Sequence, residues 1–415
     1  MKTLFTILFF SITLFSSYGQ AKKCDCKKDL DYLVEKMKAM PSYKHQIKKA
    51  NKEAYFKAEY DKIAAQLTAP IEVYKCYILL NEMMATVKDI HATVTFEKSY
   101  IKEEDFQNEK VIDSFITTST FKNHPRSTRN IENLKTELAL KPTDNLEGIY
   151  YYGDILTIGI YKTEGKNYEA AVLSSNTKLW EAGQIVAFIS KDLDNQISIA
   201  RYSIKTYNLR YLKSLAIEHG RVISFRKNIA HRDYSMKVKE NGNWEYKRIN
   251  DETSYVFFGS FNSFSSKNRA AFAKFYAETK EKFNTKNIII DLRNNEGGND
   301  KLSDPFIKYF KKSKANIYIL TNLFTGSNGE QFTTKLKKIK NAKHLGQSTW
   351  GIISYGFNRG YRFPTPSGNF KVRPTDMDFH NEFFKYEGVG VMPEIKLDPK
   401  SSWIDQTLEM IAKDI

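Results

Sequence analysis

The chain is poor in proline, glycine and cysteine. Its 415 residues include 10 prolines, 20 glycines and 3 cysteines. These low counts exclude a collagen-like chain and a chain that is Pro/Gly-rich and disordered. Because a domain usually takes about 100–200 residues, the length predicts two or three domains. It also provides enough chain for a hydrophobic core.

Two further absences bear on partners. The 64 lysine and arginine residues exceed the 48 aspartate and glutamate residues, which gives a net charge of +16. However, the sequence has no basic block interleaved with aromatic residues. Single-strand binders require that pattern, so we predict no nucleic-acid partner. A solvated, lysine-rich surface accounts for the charge, and docking onto an anionic envelope polymer is a weaker alternative. No segment after the N-terminus approaches the length of a membrane span, so we predict no integral membrane segment after signal removal.

The first 19 residues have the pattern of a secretory signal peptide. Lys2 precedes an apolar run from Leu4 to Phe15, and Ser17-x-Gly19 supplies small residues before a cleavage site that we place before Gln20. A membrane anchor is the alternative, but the run is only about 12 residues, against the roughly 20 that cross a bilayer. We therefore expect an exported protein, periplasmic or extracellular, soluble after signal-peptide cleavage.

Export permits disulfides. The cysteines are Cys24, Cys26 and Cys76, and an odd number leaves one of them outside any intramolecular pair. Our hypothesis is that Cys24 or Cys26 bonds Cys76, with Cys26–Cys76 as the candidate pair, which would tie the mature N-terminus to the first helices. Three free thiols are the alternative. No histidine stands beside Cys24-x-Cys26, so we predict no metal site there.

Apolar periodicity divides the chain into regions. Residues 27–90 have helical spacing, and residues 92–98 alternate like a strand. Residues 101–140 are polar and lysine-rich, and a loop, a helix and a linker all remain open for them. From 147 to about 232 the pattern is β-rich. We place domains at 20–100 (helical), 101–236 (β-rich middle module) and 237–415 (α/β core).

The last ~165 residues alternate strands and helices. Continuous apolar runs, typical of strands buried on both faces of a parallel sheet, occur at 287–292 and 316–322. Asn241-Gly242 is a hairpin signal. The alternation predicts βαβ units, hence an α/β core in a chain that is α+β overall. The predicted elements are strands 254–261, 287–292 and 316–322, and helices 266–283, 301–312 and 329–340.

Residues 321–332 (TNLFTGSNGEQF) place a serine between a buried strand and a helix. Such a turn lifts the hydroxyl into a cleft at the carboxyl end of the sheet. The amide of Asn328 would stand at the helix N-terminus, where free N–H groups favour an anion. Ser327 is therefore a candidate nucleophile with half of an oxyanion hole. The alternative is an ordinary helix cap, with Glu330 as the capping-box partner of Ser327.

Residues 288–300 (IIIDLRNNEGGND) place two glycines just after another buried strand. Paired glycines let the backbone approach a ligand closely. The Gly297 amide is our candidate for the second oxyanion donor, and we expect Gly298 and Gly326 to contact the substrate. A simple glycine turn is the alternative.

Taken together, these motifs resemble the tail-specific (C-terminal-processing) serine peptidase family. The resemblance rests on Asp-Leu-Arg-x-Asn-x-Gly-Gly followed by a strand and Ser-x-x-Glu, and on three other segments in the family's order. It covers residues 27–98 and 254–413. The three other segments are 89–92 (DIHA), 344–351 (HLGQSTWG) and 386–395 (YEGVGVMPEI).

The resemblance implies a catalytic set. One variant of the family pairs the serine with a lysine about 25 residues later, but Ile352 stands at that position here. The tricorn-like variant uses serine, histidine and glutamate, which implies Ser327 as nucleophile, His91 as general base and Glu387 as the residue that orients His91, directly or through another group. A peptide or protein is the implied substrate, and no metal or cofactor is implied.

The chain also departs from the family pattern. Ile90, Ala92, Glu296 and Glu394 replace the usual glycine, threonine, glycine and aspartate. In the tricorn type a serine precedes the histidine, a role that Ile90 cannot fill. The family often carries a PDZ domain where our middle module lies, but that module has no clear carboxylate-binding loop. A catalytically inactive peptidase-fold protein that binds a peptide or an apolar ligand is therefore the alternative function.

Overall fold

The structure is a computed structural model. It describes residues 23–96, 100–191, 196–227, 229–230, 232–240 and 242–413. The proposed signal peptide, the last residues of the strand expected at 92–98, and Asn241 lie outside these ranges. Within them, no helix is long and apolar enough to cross a membrane.

The helices fall into an N-terminal group, a middle group and a C-terminal group. In the described residues the α-helices are α1 (Cys26–Ala39), α2 (Pro41–Tyr43), α3 (Glu53–Ala64), α4 (Val73–Met84), α5 (Glu109–Ile116), α6 (Ser119–Lys122), α7 (Ile131–Ala139), α8 (Ser266–Thr279), α9 (Asp300–Ser313), α10 (Asn328–Leu336), α11 (His380–Phe383) and α12 (Trp403–Ala412). The segment 101–140, which the sequence left open, thus forms α5, α6 and α7.

The strands form one long antiparallel sheet, one mainly parallel sheet and smaller pairings. They are β1 (Lys23–Cys24), β2 (Ile71–Glu72), β3 (Thr93–Phe96), β4 (Gly148–Tyr152), β5 (Leu156–Lys162), β6 (Asn167–Ser175), β7 (Ile185–Lys191), β8 (Ile197–Tyr202), β9 (Leu209–Leu215), β10 (Arg221–Val222), β11 (Phe225–Arg226), β12 (Trp244–Arg248), β13 (Thr253–Phe258), β14 (Asn287–Asp291), β15 (Asn316–Thr321), β16 (Ala342–Gly346), β17 (Tyr355–Gly356), β18 (Phe363–Pro364), β19 (Phe370–Arg373), β20 (Met377–Asp378) and β21 (Ile395–Lys396).

The N-terminal helices pack through their apolar stripes. Leu30 and Leu33 of α1 and Leu80 and Met83 of α4 are fully buried in one core cluster, as their helical spacing predicts. A disulfide joins α1 to α4 through Cys26 and Cys76, which are 50 positions apart in the sequence. The bridge therefore uses Cys26 rather than Cys24.

The middle module is an eight-stranded antiparallel sheet. Its order is β10-β11-β4-β5-β6-β7-β8-β9, so from β4 to β9 each strand lies beside its neighbour in the chain. Apolar residues of β5–β9 join the same buried cluster as the N-terminal helices. The last strand, β9, makes contacts with α4 and β3, which brings this sheet next to the segment that carries His91.

The C-terminal part contains the predicted α/β core, and the fold class is confirmed. Its sheet has the order β12-β13-β14-β15-β16-β21, with β13 to β16 and β21 parallel. Both faces are covered: Ile288 and Ile290 of β14 pack in a cluster with Phe306 of α9, while Ile289 packs in a cluster with Trp403 of α12. This two-sided burial explains the continuous apolar runs.

The hairpin of this sheet turns at residues 249–252, whereas the hairpin signal at Asn241-Gly242 includes a residue outside the described ranges. β12 and β13 are joined by residues 249–252, where the Ile249 N–H donates to the Thr253 carbonyl at 2.9 Å and Asn250 Oδ1 accepts from the Glu252 N–H at 3.0 Å. The side chain of Asn250 stabilises the turn, because asparagine can bond backbone two residues on. The segment before β13 therefore contributes the edge strand β12.

A small three-stranded sheet links the two ends of the chain. β3 lies against β19, and β19 against β18. The register pairs Phe96 with Phe370 and Thr93 with Arg373. This pairing brings the loop that holds His91 to the C-terminal part, next to the carboxyl ends of β14 and β15.

Candidate active site

Ser327 occupies a strained turn between β15 and α10. Its backbone angles are φ 54° and ψ −125°, a region that residues with a side chain rarely adopt. Such strain costs of order 1–3 kcal/mol and concentrates at functional sites. A serine on a sharp strand-to-helix turn is the arrangement of the nucleophile elbow, which exposes the hydroxyl above the sheet.

Two acceptors hold the backbone of this turn. The Ser327 N–H lies 2.9 Å from the Ile352 carbonyl oxygen and 3.0 Å from Glu330 Oε2. The capping box that Ser327-x-x-Glu330 predicts is present. The serine is thus both the helix cap and the exposed residue of the elbow, so the two interpretations of the sequence are compatible.

Glu330 is fully buried and ties several segments to the elbow. Besides Ser327, it accepts from the Thr349 hydroxyl at 2.5 Å, the Gly351 N–H at 2.7 Å and the Ile352 N–H at 2.8 Å. Burial raises the pKa of this carboxyl to about 8, although the donors act in the opposite direction. Its contacts make it a structural support of the nucleophile turn.

His91 faces Ser327 across the cleft. Its Nε2 lies 3.2 Å from the Ser327 hydroxyl oxygen, at the long end of hydrogen-bond distance. The ring meets Phe357 edge-on, with ring centres 5.7 Å apart. Burial lowers the pKa of His91 to about 3, and Arg373 and Lys213 add to the shift by repelling a second proton. The imidazole is therefore neutral and able to accept a proton.

Glu387 binds the backbone next to His91 and does not bond to the imidazole ring. Its buried carboxylate accepts from the Ile90 N–H at 2.8 Å, the Ile353 N–H at 3.0 Å and the Ser354 N–H at 2.7 Å. Burial and the nearby Asp89 raise the pKa of Glu387 to about 7. Nδ1 of His91 is buried and has no hydrogen-bond partner among the described residues. The expected glutamate thus holds the residue before the histidine, not the ring.

Two groups that the sequence did not identify hold the same loop. Lys213 of β9 is buried, and its Nζ donates to the carbonyl oxygens of Asp89 at 2.8 Å and Ala92 at 2.6 Å. The buried Asp89 carboxylate accepts from the Ala92 N–H at 3.1 Å and from the Thr375 hydroxyl at 2.6 Å. His91 therefore lies on a loop fixed from three directions.

The expected oxyanion donors are arranged differently from the prediction. Gly297 is buried, with φ +93°, and its N–H already donates to Asn295 Oδ1 at 2.8 Å. The N–H groups of Gly298 and Asn328 make no backbone or side-chain hydrogen bond within the described ranges. Gly297 instead allows close packing, because a Cβ there would lie 2.7 Å from both the Asn328 nitrogen and the Ser327 Cβ.

An open cleft of about 540 Å³ contains the candidate pair, His91 and Ser327. His91, Gly298, Ser327 and Asn328 line it. Gly326, expected to contact the substrate, is not part of this lining. A Cβ at Gly326 would lie 2.9 Å from a methyl carbon of Ile352, so the glycine serves the packing of the turn.

The part of the chain that the structure describes contains no group of three or more His, Cys, Asp or Glu side chains arranged to hold a metal ion. Separately, the cleft presents the Ser327 hydroxyl, the neutral His91 imidazole and main-chain donors. That set suits nucleophilic attack and proton transfer at a carbonyl group.

Part of the chain is similar to a known protein family. Residues 254–315 match the model of peptidase family S41. A curated relative named as a tricorn-like protease C-terminal subunit, from Sulfurisphaera tokodaii, is 29% identical over 191 residues, which is 40% of this chain and 21% of the relative. The chain thus spans about a fifth of that protein. These matches confirm the resemblance found in the sequence.

Solved structures give more distant similarities. Mature CPAF matches with a TM-score of 0.45 and 13% identity over 94% of this chain and 96% of its own. The tricorn protease matches with a TM-score of 0.42 and 16% identity over 94% of this chain and 37% of its own. The photosystem II D1 C-terminal processing protease matches with a TM-score of 0.34 and 13% identity over 94% and 98%.

Proposed function

Because residues 254–315 match peptidase family S41, we propose that this protein is an exported serine peptidase that hydrolyses peptide bonds by acyl transfer. The observation that carries the proposal is the strained Ser327, whose hydroxyl oxygen lies 3.2 Å from His91 Nε2 inside an open cleft. A peptide or protein is the substrate.

The acylation step uses the two side chains in sequence. The Ser327 oxygen bonds to the carbonyl carbon of the scissile peptide while its proton passes to His91 Nε2. When the C–N bond breaks, the same nitrogen returns that proton to the leaving amine. A water molecule, activated by His91, then attacks the acyl carbon and frees Ser327. The low pKa of His91 keeps Nε2 unprotonated before each attack.

Main-chain donors stabilise the negative charge of the tetrahedral intermediate. We assign this role to the N–H groups of Asn328 and Gly298, both of which line the cleft. Gly298 replaces our expected Gly297, whose N–H is engaged by Asn295. A single donor of this kind typically contributes about 10²–10³ in rate.

Glu387 acts as a positioning residue. Its carboxylate accepts hydrogen bonds from two segments. One is the Ile90 N–H, next to His91, and the other is the pair of N–H groups of Ile353 and Ser354. This arrangement fixes the separation of the imidazole and the serine turn without touching the imidazole.

Export is supported by two independent features. The N-terminal sequence has the pattern of a signal peptide, and the Cys26–Cys76 disulfide suits an oxidising compartment. We therefore assign the protein to the periplasm or the extracellular space.

One observation favours the alternative of a binding protein without catalysis. Nδ1 of His91 has no acceptor among the described residues, whereas a catalytic histidine is usually held and made more basic by one. A neutral, weakly basic imidazole beside a serine would then serve only to shape a site for a peptide or an apolar ligand.

A fluorophosphonate probe separates the two functions, because it labels an activated serine irrespective of substrate preference. We expect the purified protein to label, and Ser327→Ala and His91→Ala to lose labelling by at least about 10²-fold. Mass spectrometry of the labelled peptide should locate the adduct on Ser327. If the protein stays unlabelled across pH 5–9 while an apolar ligand or peptide co-purifies with it, the binding function is correct.

A further inference from the structure

A positively charged side chain lies beside the reactive pair. Arg373 is at the end of β19, where the strand register pairs it with Thr93, two residues after His91. It lines the same cleft as His91 and Ser327. Its charge is close enough to His91 to contribute to that residue's lowered pKa. The strand pairing thus fixes Arg373 next to the candidate general base.

The guanidinium of Arg373 lacks the partners that such a group normally has. Its Nε is buried and makes no hydrogen bond to any described residue, and no described carboxylate forms an ion pair with the side chain. Glu296 and Asp300 also line the cleft, but neither pairs with it. Withdrawing part of a guanidinium group from water without a counter-charge costs free energy. The half-buried charge of Arg373 is therefore available to bind an anion that is not part of the chain.

An aromatic ring holds the guanidinium in place. The Arg373 guanidinium carbon lies 3.7 Å from the centre of the Phe357 ring, and Phe357 itself packs edge-on against His91. Stacking fixes the plane of the guanidinium while leaving its edge available to acceptors. A planar, fixed arginine fork matches the two oxygens of a carboxylate, which it can bind through two parallel hydrogen bonds.

We propose that Arg373 binds a carboxylate of the substrate, next to the bond that Ser327 attacks. The proposal rests on the function proposed above and names a chemical feature of its substrates. The carboxylate has two sources in a peptide: an aspartate or glutamate side chain, or the free α-carboxylate at the C-terminus. Arg373 is thus a residue that determines specificity.

The test compares matched peptides on one background. Three kinds of hexapeptide share one all-glutamine sequence: the neutral amide, six amides in which one Gln is changed to Glu at each position in turn, and the neutral sequence with a free C-terminal carboxylate. Isothermal titration calorimetry measures their binding to Ser327→Ala, which cannot turn them over. We expect one carboxylate form to bind about 10- to 100-fold more tightly than the neutral amide, and the form that does so identifies the source.

Substitution of the arginine then tests its role. On the Ser327→Ala background, Arg373→Gln should reduce the ratio of the affinities for the carboxylate peptide and the neutral amide to about one. Arg373→Lys should keep only part of this preference, because lysine lacks the planar fork of arginine. Arg359→Gln is the matched control: Arg359 is exposed, does not line the cleft and should keep the full preference. Circular dichroism melting identifies any variant that fails to fold. If Arg373→Gln does not fold, Arg373→Lys is compared with the unsubstituted arginine instead.

Failure of this inference is distinguishable from failure of the peptidase function. If the protein labels with fluorophosphonate but its peptides show no charge preference, or the preference survives Arg373→Gln, the role of Arg373 is wrong and the peptidase stands. If Arg373-dependent binding is found in a protein that neither labels nor cleaves, the site is a carboxylate-binding site and the peptidase is wrong.

Discussion

At the scale of single residues, the nucleophile turn depends on glycine for two separate reasons. Gly297 has φ +93°, where an L side chain is strained, and the space where its Cβ would lie is taken by backbone. The neighbouring atoms belong to Gly326, Ser327 and Asn328, the residues that shape the elbow. Two of these atoms are main-chain atoms and the third is Ser327 Cβ, and none of them can move aside as the end of a flexible side chain would.

Gly297→Ala should therefore displace the elbow. We expect fluorophosphonate labelling to fall at least about tenfold and the free energy of unfolding to fall by about 2–4 kcal/mol, from backbone strain together with steric overlap. The labelling rate and urea denaturation measure the two effects. Gly165→Ala is the control, because Gly165 also has a positive φ (+60°) but nothing within 4 Å of its Cβ position. Equal effects at both sites would show that overlap with the elbow is irrelevant.

His124 links stability to pH. It is 6% exposed, its Nε2 lies 2.7 Å from the Ile185 carbonyl oxygen, and burial lowers its pKa to about 4. In the unfolded chain a histidine titrates near 6.5. The unfolded state thus binds a proton at a higher pH than the folded state, so stability is complete above pH 6.5 and is lost as pH falls toward 4.

His124→Phe should remove this part of the pH dependence. Between pH 7 and pH 5, the unfolding free energy of the unsubstituted protein should fall by about 2 kcal/mol more than that of the variant. Loss of the Ile185 hydrogen bond lowers the variant's stability at both pH values and cancels in the difference. Urea denaturation at the two pH values provides the measurement, and parallel losses in both proteins would contradict it.

At the scale of secondary-structure elements, strand β9 of the middle sheet reaches the reactive pair. Through Lys213 it donates to the carbonyl oxygens of Asp89 and Ala92, on either side of His91. Burial lowers the pKa of Lys213 to about 8, while Asp89 and Glu387 act to raise it. The middle module therefore contributes directly to the geometry of the candidate site.

Lys213→Met tests this contribution, since methionine keeps the length of the side chain but not its donors. We expect kcat to fall at least about tenfold with a smaller change in KM, because the loop that carries His91 loses two hydrogen bonds while the cleft keeps its lining. Lys162→Met, an exposed lysine on β5 of the same sheet, is the matched control. A rise in KM alone would indicate a binding role instead of a positioning one.

The sequence predicted most elements of the α/β core, because two-sided burial gives β14 and β15 continuous apolar runs that no other structure explains as well. It did not identify the turn at 249–252, where the side chain of Asn250 supports the hairpin that pairs β12 with β13. It left 101–140 open, because each helix there is short: the buried pairs Ile112/Phe115 of α5 and Leu134/Leu138 of α7 have helical spacing but extend over only one turn.

The candidate site was predictable only where motifs mark it. Ser327 and His91, 236 residues apart, were paired through resemblance to a family. Lys213 and Arg373 carry no local signal, because their roles arise from contacts between distant elements: β9 packs against β3, and β19 pairs with β3. The engagement of the Gly297 N–H by Asn295 was likewise invisible, since it depends on the conformation of one loop.

At the scale of the whole molecule, a covalent link stabilises the N-terminal helices on which the His91 loop depends. Cys26 and Cys76 are 50 residues apart, and closing a loop of that length in the unfolded chain corresponds to about 4 kcal/mol in the chain-entropy model. α4, which carries Cys76, leads directly to the loop with His91.

Reduction of this bond should lower the urea midpoint of unfolding by an amount consistent with about 2–4 kcal/mol. The comparison is made with and without a thiol reductant, and again for the Cys26→Ala/Cys76→Ala double variant, which should be insensitive to reductant. Equal midpoints for the oxidised and reduced protein would contradict the expected stabilisation.

Residues in the last part of the chain hold the loop that carries His91, which lies in the first part. Thr375 and Glu387 bind Asp89 and the Ile90 amide, and β19 pairs with β3, so the loop of His91 gains these supports only after nearly all of the protein has been synthesised. A nascent chain that ends before Thr375 and Glu387 consequently lacks the contacts that hold His91 beside Ser327. On the proposed function, the order of synthesis itself protects the producing cell from premature hydrolysis.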